Sequence, residues 1–383
     1  MIVVSYAWQG LSGATRTQGG GLNMDYRFMT FGAIAVTLAA CSESQNNTPG
    51  TGADQAMSDA EPDGWTVPRT DWGDPDLQGM WPLDSVGGTP MQRAAELGEK
   101  AYLTDAEYDA ALEAAAVSAG LYQEETESGR IGSGHWFEWG RPLRQTSLIM
   151  EPANGRVPPM TDAGLARAAN MKSSWSENIF EDLSDFNALD RCITRGLPAS
   201  MIPFPYNNGV EIFQSPGYVA LRLELVHETR IIPLDGRPAP PAQIQQWLGE
   251  SRGRWDGDTL VIETTNFNGL SPMVIVGPSN EPVPTSTSLR LTERLTRTGP
   301  NTIQYEARVE DPEVLTEAFL LSFPWTRNND YEIFEYACHE DNTVVPNYIR
   351  ATSPRFVGEE NAGSNFDINE WLRISVERFA EDE

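Results

Sequence analysis

Leu289-Arg-Leu-Thr-Glu-Arg-Leu-Thr-Arg-Thr-Gly-Pro-Asn-Thr-Ile-Gln-Tyr-Glu-Ala-Arg-Val309 decides the fold class. Leu289, Leu291, Glu293 and Leu295 alternate with polar residues before Gly299-Pro300-Asn301, and Ile303, Tyr305, Ala307 and Val309 resume the alternation after it. Successive side chains of a strand point to opposite faces, so this period of two reads as two antiparallel strands joined by a turn. The same period runs outward in both directions. Val219, Leu221, Leu223 and Leu225 alternate with Ala220, Arg222, Glu224 and Val226. Arg254-Trp-Asp-Gly-Asp-Thr-Leu-Val-Ile262 adds a hairpin signal, with Asp256-Gly257 able to supply the positive φ angles of a primed turn. Strands expected near 314–323 and 331–338 bring the run to about seven to nine. Many consecutive strands with short connections predict a closed or nearly closed antiparallel β-barrel, because closure removes exposed edges. A two-sheet β-sandwich is the alternative.

Upstream the pattern changes. Trp72, Leu77 and Trp81 stand among turn formers and begin the ordered chain. Leu103-Thr-Asp-Ala-Glu107 is a capping box that opens an Ala-rich helix to about Val117, and a second helix is expected over Asp162–Met171. The predicted organisation is therefore a helical and irregular region over 67–204, packed on a β-domain over 205–383. Residues 42–66 are rich in Ser, Asn, Gly, Pro, Asp and Glu, and read as a disordered tether.

Residues 1–41 are expected to be an extension before Met24, followed by an export signal. Met29 to Leu38 is an apolar run too short to span a bilayer, and Leu38-Ala-Ala-Cys41 resembles the lipobox at which bacterial lipoprotein signals are cut. The resemblance implies lipidation at Cys41, with membrane attachment through that anchor alone. Ser42 stands where a retention Asp would hold a lipoprotein at the inner membrane, which favours the outer membrane. Of the three cysteines, Cys192 and Cys338 then remain as an even pair in an oxidising compartment, and a disulfide between them is expected. Such a bridge closes a loop of roughly 150 residues.

A formal charge of −28 argues against nucleic acid as a partner and favours neutral or cationic small molecules as ligands or substrates. A hydrophobic content of 40% with 11 Trp supports a substantial core. No glycine-rich phosphate loop, Gly-x-Ser-x-Gly elbow or strong zinc spacing occurs. No cofactor is predicted, a divalent metal is left open, and the sequence sets no oligomeric state.

Asp190-Arg-Cys-Ile-Thr-Arg-Gly-Leu-Pro198, Tyr206-Asn-Asn-Gly209, Gln214-Ser-Pro-Gly-Tyr218, Arg230-Ile-Ile-Pro-Leu-Asp-Gly-Arg237 and the stretch Trp247–Leu260 resemble a large group of exported proteins of proteobacteria and acidobacteria. The likeness continues through Glu263-Thr-Thr-Asn-Phe267, Val309-Glu-Asp-Pro312 and Glu335-Tyr-Ala-Cys-His-Glu340. It implies export and brings no reaction with it. In topology alone, the expected barrel is similar to lipocalin-like barrels that hold small apolar ligands.

Three His limit any imidazole chemistry to positions 135, 227 and 339. Glu224-Leu-Val-His227 reads as strand, where a spacing of three places the side chains on opposite faces unless a bulge or strand end intervenes. His339 and Glu340 follow Cys338, so the bridge would bring them beside Asp190, Arg191 and Arg195. There an oriented imidazole could act as general acid or base, with an arginine stabilising developing negative charge. The catalytic candidates are thus His339, Glu340, His227, Glu224, Arg191 and Arg195.

Glu263, Glu293, Glu306 and Glu335 fall in expected strands, where they either line a polar lumen or pair with Arg222, Arg230 or Arg252. Two carboxylates across a cavity would suit glycosidic cleavage. Trp136, Trp139, Trp247, Trp255 and Trp325 supply stacking surface or core, and Tyr206, Asn207 and Asn208 supply polar groups in a turn. Candidate substrate contacts are Tyr206, Asn207, Asn208, Arg252, Trp255, Glu263, Glu293 and Glu335. The expectation is a lipid-anchored enzyme of the hydrolase, lyase or isomerase type acting on a small, largely uncharged organic or glycosidic substrate. A noncatalytic lipocalin-like binder of apolar or aromatic ligands is the alternative.

Overall fold

The computed structural model describes residues 65–129, 133–135, 137–138, 140–175, 178–276, 281–340 and 342–357. The lipobox with Cys41, nearly all of the tether, and Trp136 and Trp139 lie outside the described residues. No helix among the described residues is long and apolar enough to cross a membrane.

The strands are β1 (Gly79–Met80), β2 (Ile149–Glu151), β3 (Val210–Ser215), β4 (Tyr218–Leu223), β5 (Thr229–Pro233), β6 (Glu250–Asp256), β7 (Thr259–Thr265), β8 (Pro272–Val276), β9 (Glu281–Pro284), β10 (Arg290–Gly299), β11 (Thr302–Glu310) and β12 (Phe319–Thr326). They pair antiparallel in a four-stranded sheet, β1-β3-β4-β5, a six-stranded sheet, β2-β12-β11-β10-β7-β6, and a β8-β9 ribbon. The protein is mainly β, as its alternation requires. Leu291, Glu293 and Leu295 of β10 and Ile303, Tyr305, Ala307 and Val309 of β11 face inward and are buried. Val219, Leu221 and Leu223 of β4 join them in one apolar core shared by the two large sheets.

Closure into a barrel is not found among the described strands. Both large sheets stay open, an arrangement compatible with the sandwich. The edge problem is met differently: β1 and β2, only two and three residues long, come from the N-terminal half and cover one edge of each sheet. At the opposite corner β5 and β6 approach without pairing. A Cβ at Gly253 would lie 2.6 Å from Leu234 and 2.7 Å from Ile232, so the glycine is what permits this contact.

Other expectations shift in detail. The β6-β7 hairpin turns on Gly257 and Asp258, because Asp256 pairs with Thr259; only Gly257, at φ +62°, supplies a left-handed residue. Helix α1 runs over Asp105–Ser128, well past Val117, since good helix formers continue until Gly129 enters the left-handed region at φ +69°. Its capping box is present, with Thr104 N–H donating to Glu107 Oε2 at 2.8 Å. Helix α2 is shorter than expected, Asp162–Ala168, and α3 (Val344–Thr352) and α4 (Pro354–Val357) follow the sheets. Residues 331–338 form no strand. They run irregularly across the end of the four-stranded sheet, tied down by the disulfide and by Glu224.

Candidate functional site

Cys192 and Cys338 are disulfide-bonded, with 5.5 Å between their Cα atoms across 146 residues of sequence. The bond anchors the segment that carries His339. Opposite it, β4 ends at Leu223, and residues 225–227 form a single 3-10 turn in place of the expected strand. Val226 and His227 both take positive φ, +61° and +46°. A β-branched residue there is strained, and burial of Leu225 and Val226 holds the turn. The turn swings His227 outward, where its ring meets that of His339 edge to face at 5.4 Å.

His227 Nδ1 lies 2.9 Å from the Tyr336 carbonyl oxygen. In the neutral ring Nδ1–H is therefore the donor, and Nε2 keeps its lone pair. Among the described residues, four of the five non-glycine residues at positive φ, Cys192, Asn207, Val226 and His227, belong to the loops around this site.

Glu228, next to His227, is half-buried. Burial pushes its carboxyl up to about 7, against hydrogen bonds from Thr194 and Ser200 and the charges of Arg230 and His227. Arg195 is buried, donates to the carbonyls of Ile202 at 2.8 Å and Pro203 at 3.2 Å, and lies 4.5 Å over the Phe204 ring. Burial pulls its guanidinium down to about 9, which leaves it cationic at neutral pH. Tyr206 and Tyr336 act on it electrostatically and hydrogen-bond each other. Asp190 stays close by, raised by burial although Ser174 donates to it twice, at 3.0 and 2.7 Å.

The remaining catalytic candidates lie elsewhere. Arg191 places its guanidinium 6.0 Å from the Trp247 ring centre. Glu340 is exposed, and its carboxylate has no hydrogen-bond partner among the described residues. Glu224 turns inward instead of joining the histidines. It accepts from Asn207 Nδ2 at 2.9 Å, Gly209 N at 3.0 Å, Tyr331 Oη at 2.7 Å and Phe334 N at 2.9 Å. Gly209 is required for this packing, because a Cβ would lie 2.8 Å from Glu224 Oε2. Asn207 and Asn208 thus serve the network, and both also donate to Glu138, at 2.7 Å from Asn207 N and 2.8 Å from Asn208 Nδ2. His135 serves helix α1, its Nδ1 2.6 Å from Glu125.

The strand carboxylates do not form a polar lumen. Glu293 alone faces the core, where it pairs with Arg230. Glu263 is exposed and paired with Arg254 at 2.7 Å, and Glu306 faces outward opposite Arg294. Glu335 is exposed on the irregular segment, off any strand. Arg252 pairs with Glu250 at 2.6 Å, Trp255 packs against the core, and Trp325 is buried and stacked on Tyr305 at 4.7 Å.

A cleft of about 650 Å3 lies between one face of α1, with Ala111, Ala114, Ala115 and Ser118, and the body of the protein at Phe137, Glu138, Leu148 and Phe204. Sequence reasoning missed Glu138, Glu228, Tyr331 and Tyr336. Glu228 was legible as an acid beside His227 once the strand reading is dropped; Glu138 and Tyr331 carry no local signal. No described group of three or more His, Cys, Asp or Glu is placed to hold a metal ion.

Fold and site together define the class: a mainly β, disulfide-bonded protein with a histidine pair at one end of its sheets. The chain matches no family model, no curated protein and no solved structure.

Proposed function

We propose that the protein is an enzyme of the hydrolase, lyase or isomerase type that uses histidine and carboxylate acid-base chemistry on a small, largely uncharged organic or glycosidic substrate. The observation that carries this reading is the meeting of His227 and His339, 112 positions apart in the sequence, on a strained turn and a disulfide-anchored segment. His227 Nε2 acts as the base, since Nδ1 is committed to Tyr336. Glu228 exchanges a proton near neutral pH, and Arg195 supplies fixed positive charge. By resemblance of residues 38–41 to a lipobox, the enzyme is anchored through Cys41 at the outer membrane of a bacterial envelope.

A screen of p-nitrophenyl glycosides and esters with the full chain tests the chemistry. His227→Ala and His339→Ala, each with an unchanged melting temperature, are expected to lower turnover about 100-fold or more. Full turnover in both variants removes the histidines from the mechanism. Mass spectrometry of the protein from cells is expected to find an acylated Cys41 as the first residue; an intact, unmodified N-terminus overturns the anchor.

A second reading, a noncatalytic binder of apolar or aromatic molecules, is favoured by the cleft beneath α1, whose lining is mostly carbon and away from both histidines.

A further inference from the structure

His227 and His339 both stand at the surface with their rings in contact. The third histidine is accounted for elsewhere, with His135 Nδ1 2.6 Å from Glu125 and Nε2 3.4 Å from Thr126. His227 gives its Nδ1–H to the Tyr336 carbonyl at 2.9 Å, which fixes the ring and leaves the Nε2 lone pair free. Metal-binding histidines almost always carry such an acceptor behind the second nitrogen, because it sets the tautomer and raises the basicity of the first. Neither ring nitrogen of His339 has a hydrogen-bond partner among the described residues.

Distance and anchoring agree with a shared ion. Two imidazoles on one tetrahedral metal, at about 2.0–2.1 Å per nitrogen, hold their ring centres about 5 Å apart. The pair stands at 5.4 Å with the ring planes 83° apart. Neither backbone is free to drift. His227 ends a left-handed turn held by buried Leu225 and Val226, and His339 follows Cys338, which is bonded to Cys192.

The surroundings favour positive charge. Residues 331–340 carry exposed Glu332, Glu335 and Glu340 and contain no Lys or Arg, and Glu228 adjoins His227. Across the bridge, Arg191 turns to Trp247 and Arg195 to the carbonyls of Ile202 and Pro203. We propose that His227 and His339 form a bis-histidine site for a divalent transition metal of the zinc, nickel or copper kind, with water in the remaining positions. Imidazole nitrogen suits these ions, whereas Mg2+ and Ca2+ prefer oxygen. Binding needs only the geometry of the pair. Its consequence rests on the acid-base reading of the same site, since a metal on His227 Nε2 takes the lone pair assigned to the base.

Calorimetric titration of the full, untagged chain with zinc chloride, and with magnesium chloride for comparison, tests the site. One Zn2+ is expected to bind about tenfold or more tightly than Mg2+. His227→Ala and His339→Ala are each expected to weaken Zn2+ about tenfold or more, while His135→Ala leaves it unchanged. In the wild type, Zn2+ is expected to shift the imidazole NMR signals of His227 and His339 and to leave His227 Nδ1 protonated. No Zn2+ uptake, equal affinity for Mg2+, uptake that survives loss of either histidine, or unmoved imidazole signals overturns the proposal and leaves the pair an aromatic contact only. Should a variant fail to fold, the wild-type titrations and NMR signals decide. Turnover in the glycoside and ester screen without Zn2+ uptake sinks the metal site alone; Zn2+ uptake without turnover sinks the acid-base reading alone.

Discussion

Two of the neighbourhoods that bury charge in this protein do so in opposite ways. Between the sheets, Arg230 and Glu293 are almost wholly buried and bonded to each other, with Nη1 2.9 Å from Oε1 and the Tyr305 hydroxyl donating to the same oxygen at 2.9 Å. Burial pulls Arg230 down, but the charge and hydrogen bonds of Glu293 outweigh it and hold the guanidinium above its usual value. At the loops that carry the histidines, Arg195 is buried and Glu228 half-buried, apart from each other: one is bonded to carbonyls, the other to hydroxyls. A buried pair is costly to break yet chemically inert. A buried group without its counter-charge is displaced toward neutral pH, where proton transfer becomes feasible.

The sharpest way to break this comparison is to remove one partner of the core pair. Glu293→Leu leaves Arg230 charged, buried and unpaired and strips Tyr305 of its acceptor, so urea unfolding should report a loss of about 4 kcal/mol. A loss below about 1 kcal/mol would mean that the pair is not what holds that part of the core. Next comes the bridge that defines the other neighbourhood. Cys192→Ser with Cys338→Ser releases a loop of 146 residues and should cost about 3 kcal/mol. Equal urea midpoints for the oxidised protein and the double variant would deny the bridge that role.

Glu228 gives a smaller, pH-dependent effect. Its folded-state value of about 7 exceeds the 4.5 of a free glutamate, so the native chain binds the extra proton between them. Stability should therefore fall as pH rises from 4.5 to about 7 and level off above. Allowing for solvent screening, the decline is about 2 kcal/mol or less. Glu228→Gln should flatten it, visible as a melting temperature that no longer drops over that range. The smallest effect belongs to Glu263, whose exposed pair with Arg254 lies on the outer face of β7. Glu263→Gln should change stability by less than about 0.5 kcal/mol, against the several expected for Glu293 on the adjacent strand.

Alternation made the strands around 219–223, 254–262, 289–295 and 303–309 legible, because the period of two is written by the core into each strand separately. It failed at 331–338, where alternate residues pack against loops and a buried carboxylate, with no partner strand beside them. It failed also at Glu224–His227, because a two-residue left-handed turn leaves no compositional mark when its residues are Val226 and His227. The Cys192–Cys338 pair was legible by counting, since an even pair remains once Cys41 is set aside and counting requires no geometry. The neighbourhood of the bridge was legible only in part: Arg195 lies near Tyr336, but Arg191 turns to Trp247 and Glu340 to solvent. Glu138 and Tyr331, 193 residues apart, share no signal that a single sequence carries.

The amino-acid sequence by itself determined the strand-rich class, the capped helix after Thr104 and the cysteine pair. Each of these follows from local period, spacing or counting, quantities that need no knowledge of which strands meet. Tertiary structure alone decided that the sheets stay open, that Glu293 is paired while Glu228 is not, and that His227 meets His339. Those outcomes depend on which distant segments exclude water from one another, and a side chain's charge state is set by that exclusion.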